Sequence, residues 1–312
     1  MKSREPATLV AMNDNTSTGA PRGVKLWIAG ARPRTLPAAV VPVAVGGACA
    51  LEAPDQVWWR LALALVVSLA LQVGVNYAND YSDGVKGTDE KRVGPLRLVG
   101  SGLASPSTVK RAAFMALGVA GIAGLVLAAE TTWWLLLVGA AAMIAAWTYT
   151  GGPKPYGYIG LGELFVFIFF GVVATIGSTF VVIEDVTATS VLASVAVGLF
   201  ACALLVINNL RDIPGDTVAG KRTLAVRLGD TRTRGLFYIE LLLAIVVIVI
   251  SAVTSNGFAL LGILGVLAAF PAVSMVRQGA KGRDLIPVLG AVGRAQLVFG
   301  VTYAVGLAIA VA

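Results

Sequence analysis

The sequence predicts an all-α, polytopic membrane protein with nine transmembrane helices and a cytoplasmic N-terminus. Three observations carry that expectation. Of the 312 residues, 57% are apolar and 13% charged, about half the charged share of a soluble globular domain. The apolar runs are continuous rather than alternating, which favours helices over a barrel. Basic residues gather in every second connection between those runs. A soluble enzyme, a secreted module and a disordered chain are excluded as descriptions of the whole.

Residues 1–20 are polar, with Asn13, Asp14, Asn15, Thr16 and Ser17 in sequence. They are expected to form a flexible cytoplasmic tail, with a single transmembrane domain over 21–312. A signal peptide is not expected, because the apolar stretch starts only after Arg32-Pro33-Arg34-Thr35. Hydropathy then marks spans near 36–53, 58–80, 111–129, 132–149, 160–182, 188–210, 236–254, 257–276 and 294–311. Pro37 and Pro42 interrupt the first, which membrane helices tolerate where neighbours satisfy the backbone.

Charge sets the orientation. Lys2, Arg4, Arg22, Lys25, Arg32 and Arg34 precede the first span; Lys86, Lys91, Arg92, Arg97, Lys110 and Arg111 follow the second. Lys154, then Arg211, Lys221, Arg222, Arg227, Arg232 and Arg234, then Arg277, Lys281, Arg283 and Arg294 fill the later alternate loops. The other loops hold Glu52, Asp55, Glu130, Glu184 and Asp185, with Arg60 their one basic residue. The positive-inside rule makes the basic loops cytoplasmic, in a multi-pass protein of the cell membrane. The net charge of +7 thus reflects topology and anionic headgroups, with no nucleic-acid partner implied.

Histidine is absent, so imidazole bases and His-ligated metals are excluded. Cys49 and Cys202 lie in apolar runs without a CxxC partner and read as small buried hydrophobes. Any metal would take oxygen ligands, which suits Mg²⁺.

Two polar clusters stand out. The second span ends in Gln72, Asn76, Asn79, Asp80 and Asp83, then Lys86, Gly87 and Asp89; the sixth ends in Asn208, Asn209, Arg211, Asp212 and Asp216, then Gly220, Lys221, Arg222 and Thr223. Asn76, Asp80 and Asp83 share one helix face, as do Asn208, Asp212 and Asp216. Asn76 to Asn208 and Asp80 to Asp212 are each 132 residues apart, which hints at an internal duplication over about 25–155 and 156–290. Carboxylates at helix C-termini oppose the dipole, at a few tenths to about 1 kcal/mol each, and are costly at the edge of hydrocarbon. Bound divalent cations offset both costs. Asn and Asp oxygens are ligands that Mg²⁺ accepts, and phosphate oxygens commonly complete its shell. Lys86, Lys154 and Lys221 are then placed to hold the remaining phosphate oxygens. The bland alternative is a set of solvated loop charges. A proton relay in a cation-coupled transporter is the other reading, but mid-span regions look free of charge.

Asn79-Asp80-Tyr81-Ser82-Asp83 and Asp212-x3-Asp216-x3-Gly220-Lys221-x-Thr223 resemble the two Asp-rich motifs of the UbiA superfamily of intramembrane prenyltransferases. The nine-helix layout matches that family, so the resemblance covers nearly the whole chain. Many members carry a further Asp four residues past the first motif; here that place is Gly87, and the next acid is Asp89. Five stretches resemble the branch that prenylates 1,4-dihydroxy-2-naphthoate in menaquinone biosynthesis. They are residues 31–37, residues 76–87, Gly94-Pro95-Leu96-Arg97-Leu98-Val99, Tyr149 to Tyr156 with Gly162-Glu163 beyond, and residues 208–212.

The resemblance implies Mg²⁺-dependent transfer from a polyprenyl diphosphate, with loss of CO₂ and diphosphate, to give a demethylmenaquinone. Asp80, Asp83, Asp212 and Asp216 would be catalytic, ligating Mg²⁺ together with Asn76 and Asn208. Lys86, Lys154, Lys221 and Arg222 would bind diphosphate. Arg34, Arg97, Tyr149 and Glu163 are candidates for the acceptor, and Tyr149, Phe165 and Phe169 for facing the allylic cation. Tyr156 and Tyr158 are belt residues or pocket walls. An acceptor such as 4-hydroxybenzoate is the nearest alternative. Membrane lipid is the other partner implied.

Overall fold

The computed structural model describes residues 21–88 and 96–311. The expected tail, and with it Asp89, Lys91, Arg92, Gly94 and Pro95, lies outside them. Every regular element among the described residues is helical. We number ten: α1 (Val24–Ala31), α2 (Pro37–Ala48), α3 (Trp58–Val85), α4 (Pro106–Glu130), α5 (Trp134–Thr148), α6 (Gly162–Ile183), α7 (Ala188–Val218), α8 (Leu224–Thr254), α9 (Gly257–Arg277) and α10 (Leu285–Ile309). Seven helical stretches, α3, α4 and α6 to α10 with its leading 3-10 turn, are long and apolar enough to cross a membrane; α2 and α5 are shorter apolar helices. The short helix α1, ahead of the first expected span, was not anticipated.

Two helices run well past their hydropathy bounds. α3 runs to Val85 and α7 to Val218, so the acidic clusters lie on helix rather than in loops. Hydropathy stops at the first charges, but backbone hydrogen bonding does not. Each helix ends at a glycine in the left-handed region, Gly87 (φ 70°) and Gly220 (φ 71°). Thr88 N–H reaches Asp83 O at 3.1 Å, and Lys221 N–H reaches Asp216 O at 2.8 Å. These are matching Schellman-type stops, which need a residue free to adopt positive φ.

α7 is the central helix, with 67% of its apolar window buried. It packs with α2, α8, α9 and α10 around Phe200, Phe237, Phe299 and Tyr303, and the Phe200 and Phe299 rings stack at 4.6 Å. Cys49 and Cys202 are free and buried, as expected. α6 contains a π-helical stretch, Phe167–Val173. There its backbone runs so close to α7 that a Cβ on Gly171 would lie 2.5 Å from Gly198 Cα.

At the opposite end from the acidic clusters, Arg60 joins three helices. Its Nη2 donates to Glu130 O at 2.6 Å, closing α4, and its Nη1 to Glu184 Oε1 at 2.7 Å, just past α6. A cation at helix C-termini is favourably placed in the dipole field. Replacing Arg60 with Met is expected to lower stability by about 2 kcal/mol, since charged hydrogen bonds are lost and acceptors left bare. Unfolding of the purified protein in detergent measures this. Glu184→Gln, at a half-exposed site, should cost much less.

Candidate active site

The two acidic helix ends meet. Lys221, just beyond α7, places its Nζ 3.1 Å from Asp83 Oδ1 of α3 and 4.0 Å from Asp216 Oδ1 of α7. Tyr158, in the 3-10 turn Tyr156–Ile159, donates its hydroxyl to the same Asp83 oxygen at 2.6 Å. Lys86 and Lys221 Nζ lie 4.8 and 4.6 Å from the Tyr158 ring centroid. The turn and the loop that leads into it are both fixed. Lys86 Nζ donates to Thr150 O at 2.7 Å, and Arg222 N–H donates to Tyr158 O at 2.8 Å. Thus the second, fourth and sixth connections of the sequence, all basic, converge on one point.

Burial rules out solvated loop charges. Asp80, Asp83 and Asp212 are 0%, 3% and 6% exposed. Each has compensating donors, as buried charge requires. Arg211 grips Asp212 with Nε at 2.8 Å and Nη2 at 2.8 Å, and also donates to Asn208 Oδ1. Arg97 lies 3.9 Å from Asp83. Asp80 accepts two backbone N–H groups, from Leu98 at 2.7 Å and Val99 at 3.0 Å. It therefore anchors the loop after α3, which Gly84 admits, since a Cβ there would stand 2.5 Å from Val99. Asn79 accepts from Thr150 Oγ1 at 2.8 Å. Asn76 points the other way, donating to Ala31 O at 2.9 Å and Thr35 Oγ1 at 3.1 Å.

Among the described residues, no three Asp, Glu, His or Cys side chains stand together as a metal group. Two carboxylate-bearing ends do face each other across Lys221, with Asn208 alongside Asp212. That is a hard, oxygen-rich donor set of the kind that shares Mg²⁺ with substrate phosphates and water, and the residues present fit the ion. Lys86, Lys154 and Arg222 are exposed, whereas Lys221 is buried. Burial, as the largest influence, pulls the Lys86 ammonium below the ordinary lysine range; Asp83 pushes it back and Lys221 lowers it further.

Beside the charged end runs an aromatic wall. Tyr149 and Tyr156 have centroids 5.4 Å apart, Tyr156 stacks on Phe165 at 4.0 Å, and Phe169 follows at 6.1 Å. Phe169 sits in the π-helical stretch of α6, which shifts it out of ordinary helical register. Burial pushes the Tyr156 phenol up, so it stays protonated. Glu163, at the start of α6, accepts from Asn209 Nδ2 at 2.9 Å. Arg34 is exposed.

Some polar residues escaped the sequence reading. Mid-span regions are not free of ionisable groups: Glu240 lies buried in α8, with Oε2 unpartnered. Gln296 of α10 is fully buried, with both side-chain polar atoms unpartnered. A polar residue inside an apolar run was the available signal for each. The central place of Tyr158 had no signal, because it depends on a contact with Asp83 75 positions away.

Taken together, this is a helical, multi-pass membrane enzyme in which two acidic helix ends, three basic connections and an aromatic wall meet. Residues 39–288 match the UbiA prenyltransferase family. The chain is 49% identical over 282 residues to a 1,4-dihydroxy-2-naphthoate octaprenyltransferase of Mycobacterium tuberculosis, covering 90% of this chain and 96% of the relative. It is 40% identical over 222 residues to the Escherichia coli protein of the same name, covering 67% and 70%. Among solved structures, a UbiA homologue from Aeropyrum pernix aligns with a TM-score of 0.68 at 18% identity, covering 86% of this chain and 97% of that one. One from Archaeoglobus fulgidus, bound to DMAPP and Mg²⁺, aligns at 0.64 and 15%, covering 91% and 99%. The chain belongs to the UbiA prenyltransferase family.

Lys221→Gln is expected to cut prenyl transfer at least about 100-fold, the scale for losing one preorganised electrostatic donor. Arg222→Gln should cost less than about tenfold, because its exposed side chain is screened and its backbone makes the structural contact. Initial rates in membranes distinguish the two.

Proposed function

We propose that this enzyme transfers a polyprenyl group from polyprenyl diphosphate to 1,4-dihydroxy-2-naphthoate, releasing diphosphate and CO₂ and yielding a demethylmenaquinone in its quinol form. The observation that carries the reading is the meeting of Asp83 and Asp216 at Lys221, beside Tyr158 and the aromatic wall. The names of the mycobacterial and enterobacterial relatives supply the acceptor.

The chemistry follows from the residues. The donor's C–O bond breaks with its electron pair leaving on diphosphate. Lys221 and Lys86, with Lys154 and Arg222 at the rim, stabilise that charge. Asp83, Asn208, Asp212 and Asp216 are the proposed Mg²⁺ ligands, direct or through water, with Asn76 and Asp80, which also hold the flanking turns, reaching the ion through water. Bound Mg²⁺ supplies charge neutralisation to the departing diphosphate. Tyr149, Tyr156, Phe165 and Phe169 offer ring faces to the allylic cation and exclude water that would quench it. The electron-rich ring then gives a π pair to the allylic carbon. When CO₂ leaves from the attacked carbon, its bonding pair returns to the ring and no strong base is needed. That fits a chain without histidine.

The same reading gives nine spans, formed by the seven long helices with α2 and α5, the N-terminus and the acidic ends on the cytoplasmic side of the cell membrane. One transmembrane domain covers 21–312, and the matching stops of α3 and α7 support an origin by duplication.

Membranes expressing the chain, given a polyprenyl diphosphate, 1,4-dihydroxy-2-naphthoate and Mg²⁺, should form a decarboxylated prenyl product detectable by mass. EDTA and Asp212→Asn should each abolish it. Product with 4-hydroxybenzoate instead overturns the acceptor, and no Mg²⁺-dependent transfer to any acceptor overturns the mechanism.

Lys86 adds a pH test. Only its protonated form holds diphosphate, and its pKa lies below that of an ordinary lysine. Donor KM should therefore rise with pH earlier than 10.5, the ordinary lysine value. Lys86→Arg, charged throughout, should remove that rise.

A further inference from the structure

The turn between α1 and α2 carries an arginine whose binding edge is unspent. Arg32 Nε and Nη2 are both shut off from solvent, and no protein group accepts from either. These two atoms form the side-on fork of the guanidinium, two parallel N–H groups spaced to meet both oxygens of a carboxylate. A buried cationic donor pair without an acceptor is costly and calls for a partner.

The backbone that carries this fork is firmly held. Arg32 has φ 54°, and it and Glu184 are the non-glycine residues in the left-handed region among those described. Thr35 N–H and Thr35 Oγ1 both donate to Arg32 O at 2.9 Å. Asn76 Nδ2 donates to Ala31 O at 2.9 Å and Thr35 Oγ1 at 3.1 Å, and Gln72 Nε2 reaches Thr35 Oγ1 at 3.1 Å. Two polar side chains on the acidic-motif helix thus pin a strained turn, and strain of this kind persists where the surroundings over-determine it.

We propose that Arg32 is the receptor for the carboxylate of the aromatic acceptor, in place of Arg34 or Arg97. The inference rests on the acceptor reading above and assigns its carboxylate end. Arg34 is exposed, and Arg97 belongs to the Asp83 cluster. The turn is tied to Asn76, whereas Lys221 is tied to Asp83, two turns and about 10 Å further along α3. Diphosphate at the lysines and carboxylate at Arg32 would bracket the point where the allylic carbon meets the ring. Arg32 acts by positioning. A guanidinium locked on the carboxylate opposes the drain of charge into the ring as CO₂ leaves, so its contribution is read in acceptor binding rather than turnover.

The test uses the purified chain in nanodiscs with saturating polyprenyl diphosphate and Mg²⁺. Its probes are 1-hydroxy-2-naphthoate and 1-naphthol as competitors of the acceptor, which differ only in the carboxylate. The native chain should bind the first about 100-fold more tightly. Arg32→Gln should bring that ratio near one, Arg32→Lys should restore about tenfold, and donor KM should stay within about twofold for both. A merely structural role cannot move the ratio. An unchanged ratio in both variants overturns the proposal, as does a rise in donor KM, which would make Arg32 a diphosphate ligand. If the native chain does not prenylate the dihydroxynaphthoate, the acceptor reading itself has failed. If it does and the ratio holds, only the role of Arg32 has.

Discussion

Carboxylates at the C-terminal ends of two helices, buried away from water, are the constraint from which the rest of the site follows. The helix dipole opposes them, desolvation opposes them, and they repel one another. Arg211 of α7 answers for Asp212, and the other donors are delivered from outside the two helices. Lys221 arrives on the turn that Gly220 makes possible, Arg97 on the loop that Asp80 anchors, and Tyr158 on a 3-10 turn tied to Lys86 and Arg222. Each depends on a connection that the sequence keeps basic.

An ionising diphosphate imposes opposite demands on its surroundings, and the bundle separates them along one axis. Charge is concentrated where α3 and α7 end. Beside it runs the half-buried four-ring aromatic wall from Tyr149 to Phe169, and the π-helical stretch of α6 carries its last ring. The close approach of Gly171 to Gly198 ties that wall to the central helix, so wall and charged end share a rigid frame.

Much of this was legible in the sequence because local rules govern it. Continuous apolar runs located the helices, and i, i+4, i+7 spacing put Asn76, Asp80 and Asp83 on one face. A Gly/Lys pair after each motif set a cation beside the acids. What stayed hidden depends on contacts distant in the chain. Hydropathy ended α3 and α7 too early, because charge halts an apolar count without halting a hydrogen-bonded helix. Asp80 read as a ligand, and the hold of its oxygens on the Leu98 and Val99 amides went unseen. Tyr158 was left open between belt and wall, since its hydroxyl contact with Asp83 has no local signature. Glu240 and Gln296 were passed over inside apolar runs, where averaging conceals a single polar residue.

The central claim is that the two acidic helix ends form one site rather than two. Binding of a short allylic diphosphate, measured calorimetrically with Mg²⁺ for the native chain, Asp83→Asn, Asp216→Asn and the double variant, addresses it directly. A single shared site predicts that either substitution alone removes most of the affinity and the double variant loses little more. Independent, additive losses would contradict the account and separate the two motifs into sites of their own.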